Sequence, residues 1–219
     1  MSENALIEKS KLKADLEKMG ITKGDHVSVA LSFKSIGSVE NGPDGLIDAL
    51  REVIGSEGTL MMNTHTECFP LTEVRRDYVF DPLITMPITG IVPRTLMKSK
   101  DGSRSRHPTC SVTAVGRLSK YLTDDHDEHS QPYLPFTKLA QVSGKLLCIG
   151  IDGRLVALRH EAQRQAGLFI VPDFRGVLYK NLKGEIKVYV WQFPPCMKRL
   201  PELGPKLERA GMIKRGYIG

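Results

Sequence analysis

Residues 103–116 read Ser-Arg-Ser-Arg-His-Pro-Thr-Cys-Ser-Val-Thr-Ala-Val-Gly, a run that joins anion donors to a titratable ring. Arg104 and Arg106 are suited to hold phosphate, Ser105 and Ser111 to donate to one, and His107 to move a proton near neutral pH. Pro108 stiffens the link behind the histidine. Alone, the run is a weak signal, because a histidine before proline in a polar loop is most often a solvated turn residue.

Three further groups have chemical potential. Residues 32–37, Ser-Phe-Lys-Ser-Ile-Gly, stand between an apolar run and a helical pattern. There, backbone N–H groups, Lys34 and the hydroxyls of Ser32 and Ser35 can meet a phosphate, although Ser and Gly also populate ordinary strand-to-helix loops. His160 is a second titratable ring, and on a helix Gln163 shares its side while Glu161 points about 100° away. His126 lies in Asp124-Asp125-His126-Asp127-Glu128-His129. That run has metal-ligand residue types but no Gly-containing loop to make them converge, so it reads as a solvated acidic loop and no metal is expected.

These groups need elements to hold them. Ser10 reads as the N-cap of a helix carrying Leu12, Leu16 and Met19, closed by Gly20. Residues 26–31 read as a buried strand, followed by a polar turn and a second helix with Leu46, Ile47, Leu50, Val53 and Ile54 on one face. Residues 59–63, 111–115 and 145–151 read as core strands. Residues 177–180 and 186–191, joined across Gly184, predict an antiparallel hairpin. Strands alternating with helices argue α/β with a mixed central sheet flanked by helices, in a single domain over residues 1–219.

Other blocks surround the histidine run. Ser35-Ile36-Gly37-Ser38-Val39-Glu40-Asn41-Gly42-Pro43 and Phe80-Asp81-Pro82-Leu83-Ile84-Thr85-Met86-Pro87-Ile88-Thr89-Gly90 precede it. Leu122-Thr123-Asp124-Asp125-His126 and Leu134-Pro135-Phe136-Thr137-Lys138-Leu139 follow it. In that order, from about Leu12 to Ala166, the chain resembles the aminoglycoside 3-N-acetyltransferase family, the antibiotic N-acetyltransferase fold. The family's patterns run SIG-x-V-x-G-G/P, GTL-x-M-P-T, FDP-x-x-TP-x-TG, RS-x-HP-x-x-S-x-A-x-G, LT-x-x-H, SP-F/W-x-KL and T-x-x-H-x-x-E. An ordered series of this kind is far more specific than any one block.

The resemblance implies acetyl-coenzyme A as co-substrate and acetyl transfer to the amine of an amino sugar or aminoglycoside-like acceptor. Ser32, Lys34, Ser35, Arg104, Ser105 and Ser111 then face the cofactor, and His126 and Gln163 the acceptor. The attacking amine must be neutral, so a general base is needed, with His107 and His160 as candidates. No Ser or Cys sits in a nucleophile elbow, so direct attack is favoured over a covalent acetyl-enzyme, with Cys110 inside the key block as the exception.

The chain departs from the patterns at several points. Ala30 and Leu31 replace polar residues before Ser32, and Ala157 and Gln163 stand for the Thr and Glu around His160, while an ungapped frame from Val156 puts Arg159 at the histidine position. Arg94 stands where a Glu follows the Thr-Gly pair. Two acids are thus lost, and the basic balance adds to this. With 31 Lys and Arg against 25 Asp and Glu, the net charge is +6. Both features predict an acceptor other than a polycationic aminoglycoside, such as a neutral or nucleotide-linked amino sugar. Family members usually continue beyond a G-x-x-G like Gly216-Tyr217-Ile218-Gly219, so part of the acceptor pocket is expected to be missing.

Composition limits the alternatives. No apolar run approaches the roughly 20 residues of a membrane helix and no signal-peptide core is present, so a cytoplasmic protein without membrane partners is expected. Cys68, Cys110, Cys148 and Cys196 follow no ligand or disulfide spacing, so free thiols are expected. The partners expected are coenzyme A and a small amine, with a homo-oligomer left open. A coenzyme A-binding protein with little activity is the runner-up. A basic nucleic-acid-binding module is the rival from another class, but the bases are scattered and no recognition motif accompanies them, so no nucleic acid is expected.

Overall fold

Apolar residues recurring at helical spacing and short β-branched runs alternate along the chain, and each builds the element its period demands. The structure, a computed structural model, describes residues 6–151, 157–167, 173–193 and 203–219. Helix α1 is Lys9–Lys18 and α2 is Gly42–Ile54, with strand β1, His26–Leu31, between them. Strands β2 (Thr59–Asn63), β5 (Ser103–Arg104), β6 (Val112–Gly116) and β7 (Lys145–Ile149) complete a five-stranded sheet in the order β5-β6-β2-β1-β7. β2, β1 and β7 are parallel, with Val27 beside Leu60 and Val29 beside Leu147, while β6 runs antiparallel to β2 and to β5.

Alternation along β2 divides the core. Leu60 and Met62 face the cluster built by Leu12 and Leu16 of α1, Leu46 and Leu50 of α2, and Leu96 of α3 (Ile91–Leu96). Met61 faces the opposite cluster, with Val112, Ala114, Leu122, Phe136 and Leu139. Leu122 lies on α4 (Ser119–Thr123), and Phe136 and Leu139 lie on α5 (Leu134–Gln141). Each fully buried Leu contributes about 2 kcal/mol through water exclusion, so both faces of the sheet are held.

The expected core strands and the mixed sheet are present, with ends shifted by a residue or two. Residue 10 does not cap α1: the helix begins after Glu8, whose carboxylate accepts the Ser10 hydroxyl instead of leaving it free for the backbone. The hairpin is longer than its apolar runs suggested, with β8 at Asp173–Lys180 and β9 at Ile186–Phe193. It belongs to a second small sheet, in which the short strands β3 (Phe69–Pro70) and β4 (Val79–Phe80) lie along the other edge of β8. After β7 come α6 (Ala157–Gln165) and, beyond the hairpin, α7 (Leu203–Arg209). No helix among the described residues is long and apolar enough to cross a membrane.

Parallel pairing brings the ends of β1, β2 and β7 out on one rim of the main sheet. β5 runs with β2, so residues after Arg104 emerge there too. Ligands of open parallel sheets sit beyond the carboxyl ends of the strands. On this rim Ser32 donates its N–H to the Ile149 carbonyl at 2.9 Å, joining the turn after β1 to the end of β7. Gly150 makes the junction close: its φ is +62°, and a Cβ there would stand 2.5 Å from the Ser35 Cβ. Gly150→Ala is therefore expected to destabilise the protein by about 1–3 kcal/mol through left-handed strain and overlap, read as a lower urea midpoint. An unchanged midpoint would show that the two turns are not locked together.

Candidate active site

The loop after β2 is zipped to the histidine run by hydrogen bonds that continue the β2–β6 ladder beyond its named strands. Thr64 N–H reaches the Ser111 carbonyl at 2.9 Å, Thr66 N–H the Thr109 carbonyl at 3.1 Å, and Thr66 Oγ1 the Pro108 carbonyl at 2.6 Å. Arg104 reinforces this from below. Its guanidinium donates to the carbonyls of Thr85 (2.6 Å), Pro82 (3.2 Å) and Thr64 (3.1 Å) and to Ser111 Oγ, and it lies 5.5 Å from the centre of the Phe80 ring. Burial lowers its pKa to about 10, so it stays charged at neutral pH. Ser111 passes its own proton to the Thr64 carbonyl at 2.6 Å.

His107 is fully buried. Its Nδ1 accepts backbone N–H groups from Cys110 at 3.0 Å and Thr109 at 3.3 Å, which requires the ring proton to be on Nε2. Nε2–H then donates to Tyr189 Oη, 3.0 Å away on β9. The His126 ring stacks on His107 with centres 4.7 Å apart. His126 is equally buried: Nδ1 accepts from Ser105 Oγ at 2.9 Å and Nε2–H donates to the Pro132 carbonyl at 3.1 Å. Ser105 in turn accepts the Val112 N–H. Burial holds His107 well below the ordinary histidine value and His126 at about 3, so both rings are neutral.

His160 is different. Its Nδ1 lies 3.0 Å from Gln163 Oε1, an acceptor, so Nδ1 carries the proton and Nε2 presents a lone pair. Tyr133 stacks against the ring at 5.6 Å and fixes its plane. Burial lowers the pKa of His160, the Gln163 contact partly restores it, and the nearby Arg159 lowers it again. Glu161, one residue on, turns the other way, accepting from Thr137 of α5 at 2.6 Å and pairing with Arg164 at 2.8 Å. His65, on the loop after β2, is the fourth ring of the group. Burial and then the charge of His160 lower it to about 4, and its Nε2 is shielded from solvent without a hydrogen-bond partner.

A chain with this rim of histidines on this sheet has clear relatives. The profile of the family described as aminoglycoside 3-N-acetyltransferase matches residues 29–219. The chain belongs to that family. It is thus an acyltransferase by kinship. The aminoglycoside N(3)-acetyltransferase VIII of Streptomyces fradiae is 33% identical over 204 residues, covering 83% of this chain and 70% of that one. The type III enzyme of Serratia marcescens is 32% identical over 184 residues, covering 77% and 67%. Among solved structures, AAC-IIIb in binary complex with CoASH superposes with a TM-score of 0.85 at 23% identity, over 98% of this chain and 89% of that one. A histidine-to-alanine variant of AAC(3)-IVa in complex with apramycin gives 0.81 at 24% identity, over 100% and 86%.

Within this acetyltransferase the residues singled out by sequence fall into two groups. His160 and Gln163 touch each other, and Ser32, Lys34 and Ser35 form the turn at the end of β1, where Ser35 Oγ donates to Ser32 Oγ at 2.9 Å. Lys34 is exposed and makes no ion pair among the described residues. Arg104, Ser105, Ser111, His107 and His126 have their polar atoms engaged by the protein itself, whereas the resemblance placed them on the walls for cofactor and acceptor. Residue 94 also turns to the backbone, donating from the Arg94 side chain to the Pro87 carbonyl. Cys110 is buried and burial pushes its thiol up to about 12, which removes the thiolate a covalent route would need.

Sequence reasoning missed His65, Tyr133 and Tyr189. His65 follows directly on the strand that ends at Asn63, at the rim where parallel sheets bind ligands, and that position was the available signal. The buried neutral rings have a measurable consequence. Below pH about 6.5 an unfolded chain takes up protons that folded His65, His107 and His126 refuse, so stability is fully present above that pH. It falls on acidification toward their depressed values, by about 1.4 kcal/mol per pH unit for each ring. His126→Gln is expected to remove about one ring's share of this slope between pH 6.5 and 4.5 in urea denaturation. An unchanged slope would mean that His126 titrates normally in the fold.

Proposed function

We propose that this enzyme transfers the acetyl group of acetyl-coenzyme A to the amine of an amino sugar or aminoglycoside-like acceptor, with His160 as general base. The observation that carries the assignment is the Gln163 contact. It holds the proton on Nδ1 and leaves Nε2 as the lone pair that takes a proton from the attacking amine. His107 is unsuited to that role, because two backbone N–H groups occupy its Nδ1 and its Nε2 already bears a proton. The amine attacks the thioester carbonyl, His160 accepts the amine proton and gives it up to the departing thiolate, and coenzyme A leaves as the thiol as the C–S bond breaks.

For the cofactor we assign the turn of Ser32, Lys34 and Ser35, which offers hydroxyls, a cation and the backbone before α2 on the ligand rim. Kinship to AAC-IIIb, solved with CoASH, supports coenzyme A as the thiol carrier. The charge balance and the inward turn of Glu161 support an acceptor with few positive charges, since a polycation would meet a field of the wrong sign.

Thiol release from acetyl-coenzyme A across amino sugars and aminoglycosides tests the reading. With an accepted substrate, His160→Ala is expected to cut kcat by roughly 100- to 10,000-fold while calorimetric affinity for coenzyme A stays unchanged. A base works deprotonated, so the depressed pKa of His160 puts the acidic limb of the wild-type profile below the ordinary value of about 6.5. Full turnover by a folded His160→Ala protein would exclude it as the base.

A further inference from the structure

When His160 takes up a proton its ring becomes a cation, and no anion meets that charge. The partner at Nδ1 is Gln163 Oε1, a neutral acceptor, at 3.0 Å. Among the described residues no carboxylate pairs with the ring: Glu161, next along α6, is taken up by Thr137, Arg164 and Gln165. Arg159 on the same helix opposes the charge, and His65, after β2, is held neutral by burial. From α5, Lys138 turns away to Asp125 and the Tyr121 carbonyl. The contact on the ring's face is Tyr133, the residue before α5, whose plane lies within 28° of the imidazole with centres 5.6 Å apart. Tyr133 is 3% exposed, and Trp191 of β9 meets it edge-on at 6.4 Å, so its ring is held in place from the second sheet.

We propose that Tyr133 is a positioning residue of this reaction, whose ring face stabilises the imidazolium that His160 becomes while it carries the amine proton. The inference rests on the acetyl-transfer reading above. An aromatic face is the negative part of a quadrupole and attracts a cation within about 6 Å of its centre, more strongly where water is excluded. Neutral imidazole gains much less from the same stack. The contact therefore strengthens as the proton moves from the amine to Nε2 and relaxes when that proton passes to the departing thiolate. Interactions that are stronger in the transition state than in the ground state are the ones that raise kcat. Cation stabilisation also raises the pKa of His160 against the lowering by burial and Arg159. Weakening the ring face thus moves the acidic limb of kcat to lower pH and leaves a poorer base.

The test withdraws electrons from the ring while keeping its shape. Tyr133→Phe is compared with the same position carrying 4-fluoro-, 3,5-difluoro- and 3,4,5-trifluorophenylalanine, since each fluorine draws charge from the ring face. The acidic limb of kcat, and the His160 pKa read by ring-nitrogen NMR, are expected to fall stepwise along the series by about 0.5 to 1.5 pH units in total. Plateau kcat should fall in step by roughly two- to sixfold, with calorimetric affinity for coenzyme A unchanged. Tyr133→Leu, which removes the face, is expected to lie at or beyond the trifluorinated end. A limb and a His160 pKa that stay constant along the series would show that the ring only fills space, overturning the proposal and leaving the acetyl-transfer reading intact. So would a loss already complete in Tyr133→Phe, which would assign the effect to the hydroxyl. A wild type that turns over no amine would overturn the acetyl-transfer reading and the catalytic use of the stack with it. If Tyr133→Leu does not fold, the fluorinated series, whose members keep the aromatic shape, decides alone.

Discussion

Two backbone N–H groups directed at His107 Nδ1 govern much of this structure. They fix the ring as its Nε2–H tautomer, and that proton then reaches Tyr189 on the second sheet. One buried imidazole thereby links the loop before β6 to the hairpin. The stacked His126 ring extends the same device through Ser105 to the first residue of β6. Because both rings are desolvated and fully bonded, charging either would break hydrogen bonds inside a medium that cannot solvate the ion.

That constraint separates scaffolding from chemistry. Arg104 serves the scaffold as well: one guanidinium holds three carbonyls from two loops, a role its planar fork suits better than a lysine would. Against this fixed wall, His160 on α6 keeps an unbonded nitrogen. Glu161 ties α6 to α5 through Thr137 and pairs with Arg164 along α6, so the helix that carries His160 is itself anchored. The histidines therefore divide into a saturated pair, His107 and His126, and His160, which keeps one ring nitrogen unbonded.

Much of the fold was legible because period and burial agree. The face of α2 carrying Leu46, Ile47, Leu50, Val53 and Ile54 is buried, and the runs of β1 and β2 match their strands. The small second sheet was not legible, since β3 and β4 are two residues each and exist only through pairing with β8. On β9 the pattern also misleads: Ile186, Val188 and Val190 are exposed, whereas Tyr189 and Trp191 turn inward. Motif order located the histidine run, but residue type could not say that His107 is saturated and His160 is not. That distinction depends on Thr109 and Cys110 amides, which every sequence possesses and only a fold can aim.

Ring-nitrogen NMR of the selectively labelled protein across pH 5 to 8 tests the central division most directly. His107 and His126 are expected to remain neutral Nε2–H tautomers throughout, while His160 is the Nδ1–H tautomer when neutral and takes its proton on Nε2 on acidification. A His107 that titrates near pH 6.5, or a His160 whose neutral ring carries its proton on Nε2, would contradict it.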